Sequence, residues 1–130
     1  MIIITIPGKP MGKQRPRVMK NGITYTPKET VSYENLVKMC YMQRYGNENI
    51  ITGPLKMKIR AYFEIPKGTS KRRAELMRAD VERPIKKPDV DNIVKIICDA
   101  LNKVAYKDDA QIVSCEVHKY YSDTQGLKLR

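Results

Sequence analysis

The sequence predicts an α/β fold of the α+β two-layer kind, a mixed β-sheet with helices packed on one face. Three observations predict it. Residues 55–65 alternate, with Leu55, Met57, Ile59, Ala61, Phe63 and Ile65 on one side and Lys56, Lys58, Arg60, Tyr62 and Glu64 on the other, the period of a half-buried strand. From Asn92 onward, Ile93, Ile96, Ile97, Ala100, Leu101 and Val104 recur at helical spacing and make one apolar face. Segments of both kinds interleave along 130 residues, enough for a real core but short for two, so residues 1–130 are expected to form a single domain.

The elements follow in order. Met1 to Ile6 is apolar and β-branched and reads as a buried first strand, broken by Pro7, Gly8, Pro10 and Gly12. Asn21-Gly22 predicts a hairpin turn between Arg17-Val18-Met19 and Ile23-Thr24-Tyr25. Thr30 to about Arg44 reads as a helix, with Glu29 in its first turn and Gly46 as its stop. Its expected apolar stripe is Val31, Leu36, Met39 and Cys40, with Tyr33 and Met42 as candidates to join it. After the alternating strand, Ser70 can cap a short helix from Lys71 to Arg78. Pro84 and Pro88 frame an extended approach to the helix that starts near Asp89 to Asp91. Gln111 to Tyr121 reads as a strand with Val113, Cys115 and Val117 inward, and Leu127 to Arg130 as a short last strand after a turn.

Composition narrows the function. Twenty-five Lys and Arg against fourteen Asp and Glu give a formal net charge of +11, which favours nucleic acid or another polyanion as partner. No apolar run is long enough for a membrane span, and the N-terminal apolar run lacks a basic region before it and a small-residue cleavage site after it. Three scattered cysteines, with no CxxC spacing, suit a reducing cytoplasm and argue against zinc or a disulfide framework. A single histidine, His118, argues against His-based triads, and no small-molecule cofactor is expected. Two segments concentrate the positive charge. Residues 8–28 carry Lys9, Lys13, Arg15, Arg17, Lys20 and Lys28 with no acid, and residues 71–87 carry Lys71, Arg72, Arg73, Arg78, Arg83, Lys86 and Lys87. Both suit phosphate backbones, with Lys9, Lys13, Arg15, Arg17, Lys20, Arg72, Arg73, Lys86 and Lys87 as the candidate DNA contacts.

Lys87 to Asp109 holds five of the fourteen acids, Asp89, Asp91, Asp99, Asp108 and Asp109. Negative charge gathered inside a basic chain is costly unless a cation sits there. In an extended segment Asp89 and Asp91 share a side, about 7 Å apart at Cα, and can converge on one ion. Asp99 lies about 12 Å from Asp91 along a helix axis, too far to share it, and is expected to orient Lys95 or bond neighbouring chain. Lys95 follows Asp91 by one turn and can pair with it or face a phosphate or leaving oxygen. Asp108 and Asp109 join Asp89 and Asp91 if the following strand lies beside the approach segment. An oxygen-only donor set suits Mg²⁺ or Mn²⁺, held singly or as a pair, in phosphodiester hydrolysis. Taken singly, an aspartate at a helix start is more often a cap, and an Asp-Asp pair more often a turn.

The run PDVDNIVKIICDAL followed by VAYKDDAQIV, together with the GKPMGKQRPR opening, resembles the RusA family of Holliday-junction resolvases, common in phages and prophages. The resemblance spans most of the chain and is densest from Pro88 to Val113. It implies an endonuclease of mixed α/β fold, a Mg²⁺-dependent homodimer cutting four-way DNA junctions by paired nicks. By the same resemblance, Asp89, Asp91 and Asp109 are the essential metal-site carboxylates, Asp108 their neighbour in the acidic cluster and Lys95 the catalytic lysine. Two other classes remain open: a non-catalytic basic DNA-binding or regulatory module, and a metal-dependent nuclease for flaps or single strands.

Overall fold

The computed structural model describes residues 2–46 and 50–129. Its elements are β1 (Ile4–Pro7), β2 (Arg17–Val18), β3 (Thr24–Tyr25), α1 (Lys28–Tyr45), β4 (Leu55–Glu64), α2 (Lys71–Arg78), α3 (Val90–Leu101), β5 (Ile112–Ser122) and β6 (Gly126–Leu129). The main sheet runs β1-β6-β4-β5, and β2 pairs with β3 in a separate hairpin. The main sheet is mixed: β6 is antiparallel to β1 and to β4, whereas β4 and β5 are parallel. A parallel pair needs a long crossover. Here α2 and α3 supply it, so the aspartate-rich stretch lies within the connection between two neighbouring strands.

One apolar cluster fills the space between sheet and helices. Ile4 and Ile6 of β1, Met57, Ile59, Ala61 and Phe63 of β4, and Leu127 and Leu129 of β6 point into it. They meet Ile93, Ile96, Ile97, Ala100 and Leu101 of α3, and Tyr33, Val37 and Tyr41 of α1. Each fully buried aliphatic side chain of this kind contributes about 1.5–3 kcal/mol before conformational entropy is set against it. The opposite side chains of β4, Lys56, Lys58, Arg60 and Glu64, stand exposed. Helices therefore cover one face only.

Two packing expectations are corrected. In α1 the buried stripe is Thr30, Tyr33, Val37 and Tyr41, spaced by three or four residues. Val31, Met39 and Met42 are 44%, 57% and 41% exposed. Tyrosine rings take core positions because they bring a large apolar area, and the half-buried Tyr45 beside them accepts from Ile3 N at 2.8 Å through its hydroxyl. In β5, Val113 does not point inward and is 68% exposed. Leu55 pairs with Ile112 and Lys56 with Ser114, so Val113 is the extra residue of a bulge. Beyond it the inner positions are Cys115, Val117, Lys119 and Tyr121, and Cys115 is exposed because β5 is an edge strand.

The local signals otherwise act as their chemistry dictates. Gly46 ends α1 at φ 72°, its N–H donating to Met42 O at 2.8 Å. Ser70 Oγ accepts from Arg73 N and starts α2. In the hairpin, Asn21 Oδ1 accepts from Ile23 N at 3.1 Å and Gly22 takes φ 85°. No helix among the described residues is long and apolar enough to cross a membrane.

Candidate active site

Residues 8–16 run across the first turn of α3. Lys13 N–H donates to Asn92 O at 2.9 Å. Gly12 allows this approach: a Cβ there would lie 2.8 Å from Pro88 Cβ and 2.9 Å from Asn92 Cβ. The result is a groove of about 860 Å³ between the basic arm and the start of α3, reached by Lys9, Lys13, Arg15, Arg17, Lys87, Asp89 and Asp91. Cations of the arm and the first aspartate pair thus share one concavity.

Asp89 occupies the N-cap position of α3, yet its carboxylate makes no capping hydrogen bond. Asp91 lies in the first helical turn. Both are exposed. Capping therefore does not account for this pair. Lys95 is exposed one turn beyond Asp91 and has no ion-pair partner among the described residues. Asp99 does not orient Lys95. It binds Lys13 Nζ at 3.1 Å, and the same amine contacts Glu34 of α1.

Asp108 and Asp109 stand at the other end of α3. Asp108 begins a one-turn 3₁₀ helix (Asp109–Gln111), its Oδ1 accepting from Ala110 N at 3.2 Å. Gln111 Oε1 accepts from Asp108 N in return, and Gln111 Nε2 donates to Ile51 O and Gly53 O at 3.0 Å each. The turn reading thus accounts for Asp108 and leaves Asp109 free of a capping duty. The two carboxylates face each other. The Ala110 N–H and a hydrogen bond from Asp109 hold Asp108 below the usual carboxylate range, while that hydrogen bond and the charges of Asp108 and Asp99 push Asp109 above it. Two adjacent exposed carboxylates present oxygen donors of the kind a hard divalent cation accepts.

The second basic segment is held along the edge of β5. Arg83 Nε donates to Lys119 O at 2.6 Å, and Lys119 Nζ donates to Lys86 O. Lys86 lies over the rings of Phe63 and Tyr121. Arg73 pairs with Glu82 and Arg78 with Asp123. Arg72 and Lys20 are exposed without an ion-pair partner among the described residues. Lys119 is a basic residue beside this segment that the pattern of inward residues stopped short of naming. Burial lowers the pKa of its amine, with Asp89 opposing that shift and Lys86 adding to it, and the amine reaches the Lys86 carbonyl, next in sequence to Lys87 of the groove wall. Continuing the alternation of Cys115 and Val117 by one step would have found it.

Strand β5 does lie beside the approach segment, but along its second half. Its first half starts at the far end of α3. The Asp89–Asp91 and Asp108–Asp109 pairs therefore lie toward opposite ends of α3. Among the described residues no three His, Cys, Asp or Glu side chains form one metal-ligand group within the chain. Each aspartate pair by itself offers what Mg²⁺ accepts from a protein, one or two carboxylates with the remaining positions left to water and phosphate.

Residues 7–130 match the family described as Endodeoxyribonuclease RusA. The chain belongs to the RusA family. Only the first six residues lie outside the match, so RusA membership covers the basic arm, Lys95 and both aspartate pairs. A relative of Bacillus subtilis (strain 168), the uncharacterized protein YqaN, is 39% identical over 133 residues, covering 98% of this chain and 93% of that protein. RusA being a family of endodeoxyribonucleases, the chain is an enzyme that cuts DNA within the strand. A basic groove holding uncapped carboxylates agrees with that activity.

Proposed function

We propose that this RusA-family enzyme resolves four-way Holliday junctions by paired phosphodiester nicks, with Mg²⁺ as its ion and Mn²⁺ as a substitute. One observation carries the reading: Asp89 and Asp91 stand exposed and uncapped in a groove walled by Lys9, Arg15, Arg17 and Lys87. Unpaired carboxylates in a groove shaped for a polyanion have no purpose in DNA binding alone, because they repel phosphate.

Asp89, Asp91 and Asp109 hold the ion or ions, with Asp108 beside them, and the donor set of oxygens alone fits Mg²⁺. When bound, the cation acts as a Lewis acid on the phosphate and favours deprotonation of the attacking water. The protein's own groups do the rest. Lys9, Arg15 and Arg17 hold the strand in the groove, Lys87 approaches it from the other wall, and Lys95 meets negative charge as it develops on phosphate or leaving oxygen. Lys20, Arg72, Arg73 and Lys86 extend the contact to neighbouring phosphates. Lys13 acts indirectly, since its amine is committed to Glu34 and Asp99.

The separation of the aspartate pairs supports a homodimer. One chain presents each pair at an opposite end of α3, so a twofold-related copy can bring its Asp109 toward the Asp89 and Asp91 of the first. Such a dimer sets one centre on each of two like strands of a junction. Assay of junction, flap, duplex and single-stranded DNA, with and without Mg²⁺, tests the function. Mg²⁺-dependent paired nicks on the junction are expected. Preferential cutting of flap or single strand, or binding without any nick, would contradict the proposal.

A further inference from the structure

The uncovered face of the sheet carries an organised row of cations that the groove does not use. Pairing register places Thr5, Lys128, Arg60 and His118 side by side across β1, β6, β4 and β5. At about 4.8 Å between strands, Lys128, Arg60 and His118 span about 10 Å. Lys56 and Lys58 extend the charge along β4, with Glu116 opposite Lys58 and Glu64 at the strand end. Ion pairs among the described residues join Lys13 to Glu34 and Asp99, Arg73 to Glu82, and Arg78 to Asp123, and none lies on this face. Like charges directly opposite one another on adjacent strands destabilise a sheet, so Arg60 beside Lys128 calls for an anion from outside.

The next row sets the kind of anion. Tyr62 and Tyr120 stack with ring centroids 5.5 Å apart, Lys128 lies over Tyr62 at 5.5 Å, and Arg83 lies over Tyr120 at 4.1 Å. The rings are thus packed against each other and covered by cations, leaving the surface to read phosphates rather than to stack unpaired bases. Strand β4, with ten residues, is about 33 Å long, close to one turn of duplex DNA. A second copy of the chain would bring the same positive charges against this face. A polyanion meets no such opposition.

The face is also continuous with the groove. Arg83 donates to the carbonyl of Lys119 while its guanidinium covers Tyr120. Lys119 points to the other side of β5, where its amine donates to Lys86 O, next in sequence to Lys87 of the groove wall. A strand passing the β5 edge therefore moves from the groove wall at Lys87 past Lys86 and Lys119 to the cationic face.

We propose that this open sheet face is a second DNA-docking surface, taking the phosphates of a duplex arm that leaves the active groove. The proposal rests on the reading of the chain as an enzyme acting on branched DNA. It is tested with Arg60→Ala/Lys128→Ala by fluorescence anisotropy of a labelled four-way junction, a plain duplex and a single strand, in EDTA, over a series of KCl concentrations. The slope of log K against log salt should fall by about 0.9 for each cation removed, close to 2 for the pair. It should fall on both DNAs, and Arg60→Lys/Lys128→Arg should restore it. Circular dichroism establishes that each variant is folded, and Arg60→Gln/Lys128→Gln serves if the alanine pair is not. An unchanged slope in a folded variant overturns the proposal, as does a loss confined to single-stranded DNA or an unsubstituted protein that binds no duplex. Asp91→Asn separates the two ideas: it should keep the salt slope and lose cleavage. If the unsubstituted protein cuts no DNA, the catalytic reading fails while the slope still decides the docking surface.

Discussion

The amine of Lys13 lies 3.1 Å from the carboxylate of Asp99, and the same amine contacts Glu34. One lysine of the basic arm thereby ties the arm to α1 and to the second half of α3. Lys13 and Glu34 are mostly buried, at 19% and 17% side-chain exposure, and Asp99 is at 36%. Lys13→Ala would leave two acids facing each other without their cation. The expected loss is about 1–3 kcal/mol, read as a lower midpoint in thermal or urea unfolding.

The pH dependence of that loss has a definite sign. Burial lowers the pKa of the Lys13 amine, but hydrogen bonds to Glu34 and Asp99 outweigh it, and the net shift is upward from 10.5. A raised folded-state pKa means the unfolded chain releases its proton first. The stabilisation is complete below pH 10.5 and declines as pH rises through the folded value. The stability gap between Lys13→Ala and the unsubstituted protein should be constant from neutral pH to about 10 and narrow above it. A gap that widens with alkali would show that the pair is not what Lys13 supplies.

Gly12→Ala probes the same junction through packing. Its methyl would lie 2.8 Å from Pro88 Cβ and 2.9 Å from Asn92 Cβ, so the arm must move off the start of α3. Overpacking of this kind costs about 1–3 kcal/mol. The backbone bond from Lys13 to Asn92 should weaken with it, visible as faster amide exchange at Lys13.

Asp108 and Asp109 separate by function. Asp108→Asn keeps an acceptor for Ala110 N and should retain the turn and most of the cleavage. Asp109→Asn should fold equally well and lose cleavage by about 100-fold or more, as expected when a ligand rather than its support is removed. Parallel cleavage assays with unfolding midpoints decide between them. Equal losses in both would make the pair act as one unit.

Much of the fold was legible because its signals are local. The alternation from Leu55 and the helical spacing from Ile93 each lie within a dozen residues, and both elements formed where those periods ran. The arrangement of strands was not legible, since nothing local says that β6 inserts between β1 and β4 or that β4 and β5 run parallel. A single bulged residue, Val113, shifted the start of β5, and no composition signal marks it. In α1 the stripe was misplaced because Tyr33 and Tyr41 bury ring and hydroxyl together, which a count of aliphatic residues undervalues. Within the candidate site, Asp89, Asp91 and the cations of the arm were named from type and spacing. That Lys13 serves Asp99, and that Lys119 reaches the Lys86 carbonyl, depends on pairings more than 80 and more than 30 residues apart in sequence, beyond any local pattern.

The central claim is that Asp91 belongs to a metal-dependent cutting centre and not to a helix cap or a DNA contact. Cleavage of a synthetic four-way junction by Asp91→Asn in Mg²⁺, measured beside its binding to the same junction in EDTA, tests this most directly. The account predicts intact binding with cleavage reduced at least about 100-fold. Cleavage at the unsubstituted rate would contradict it.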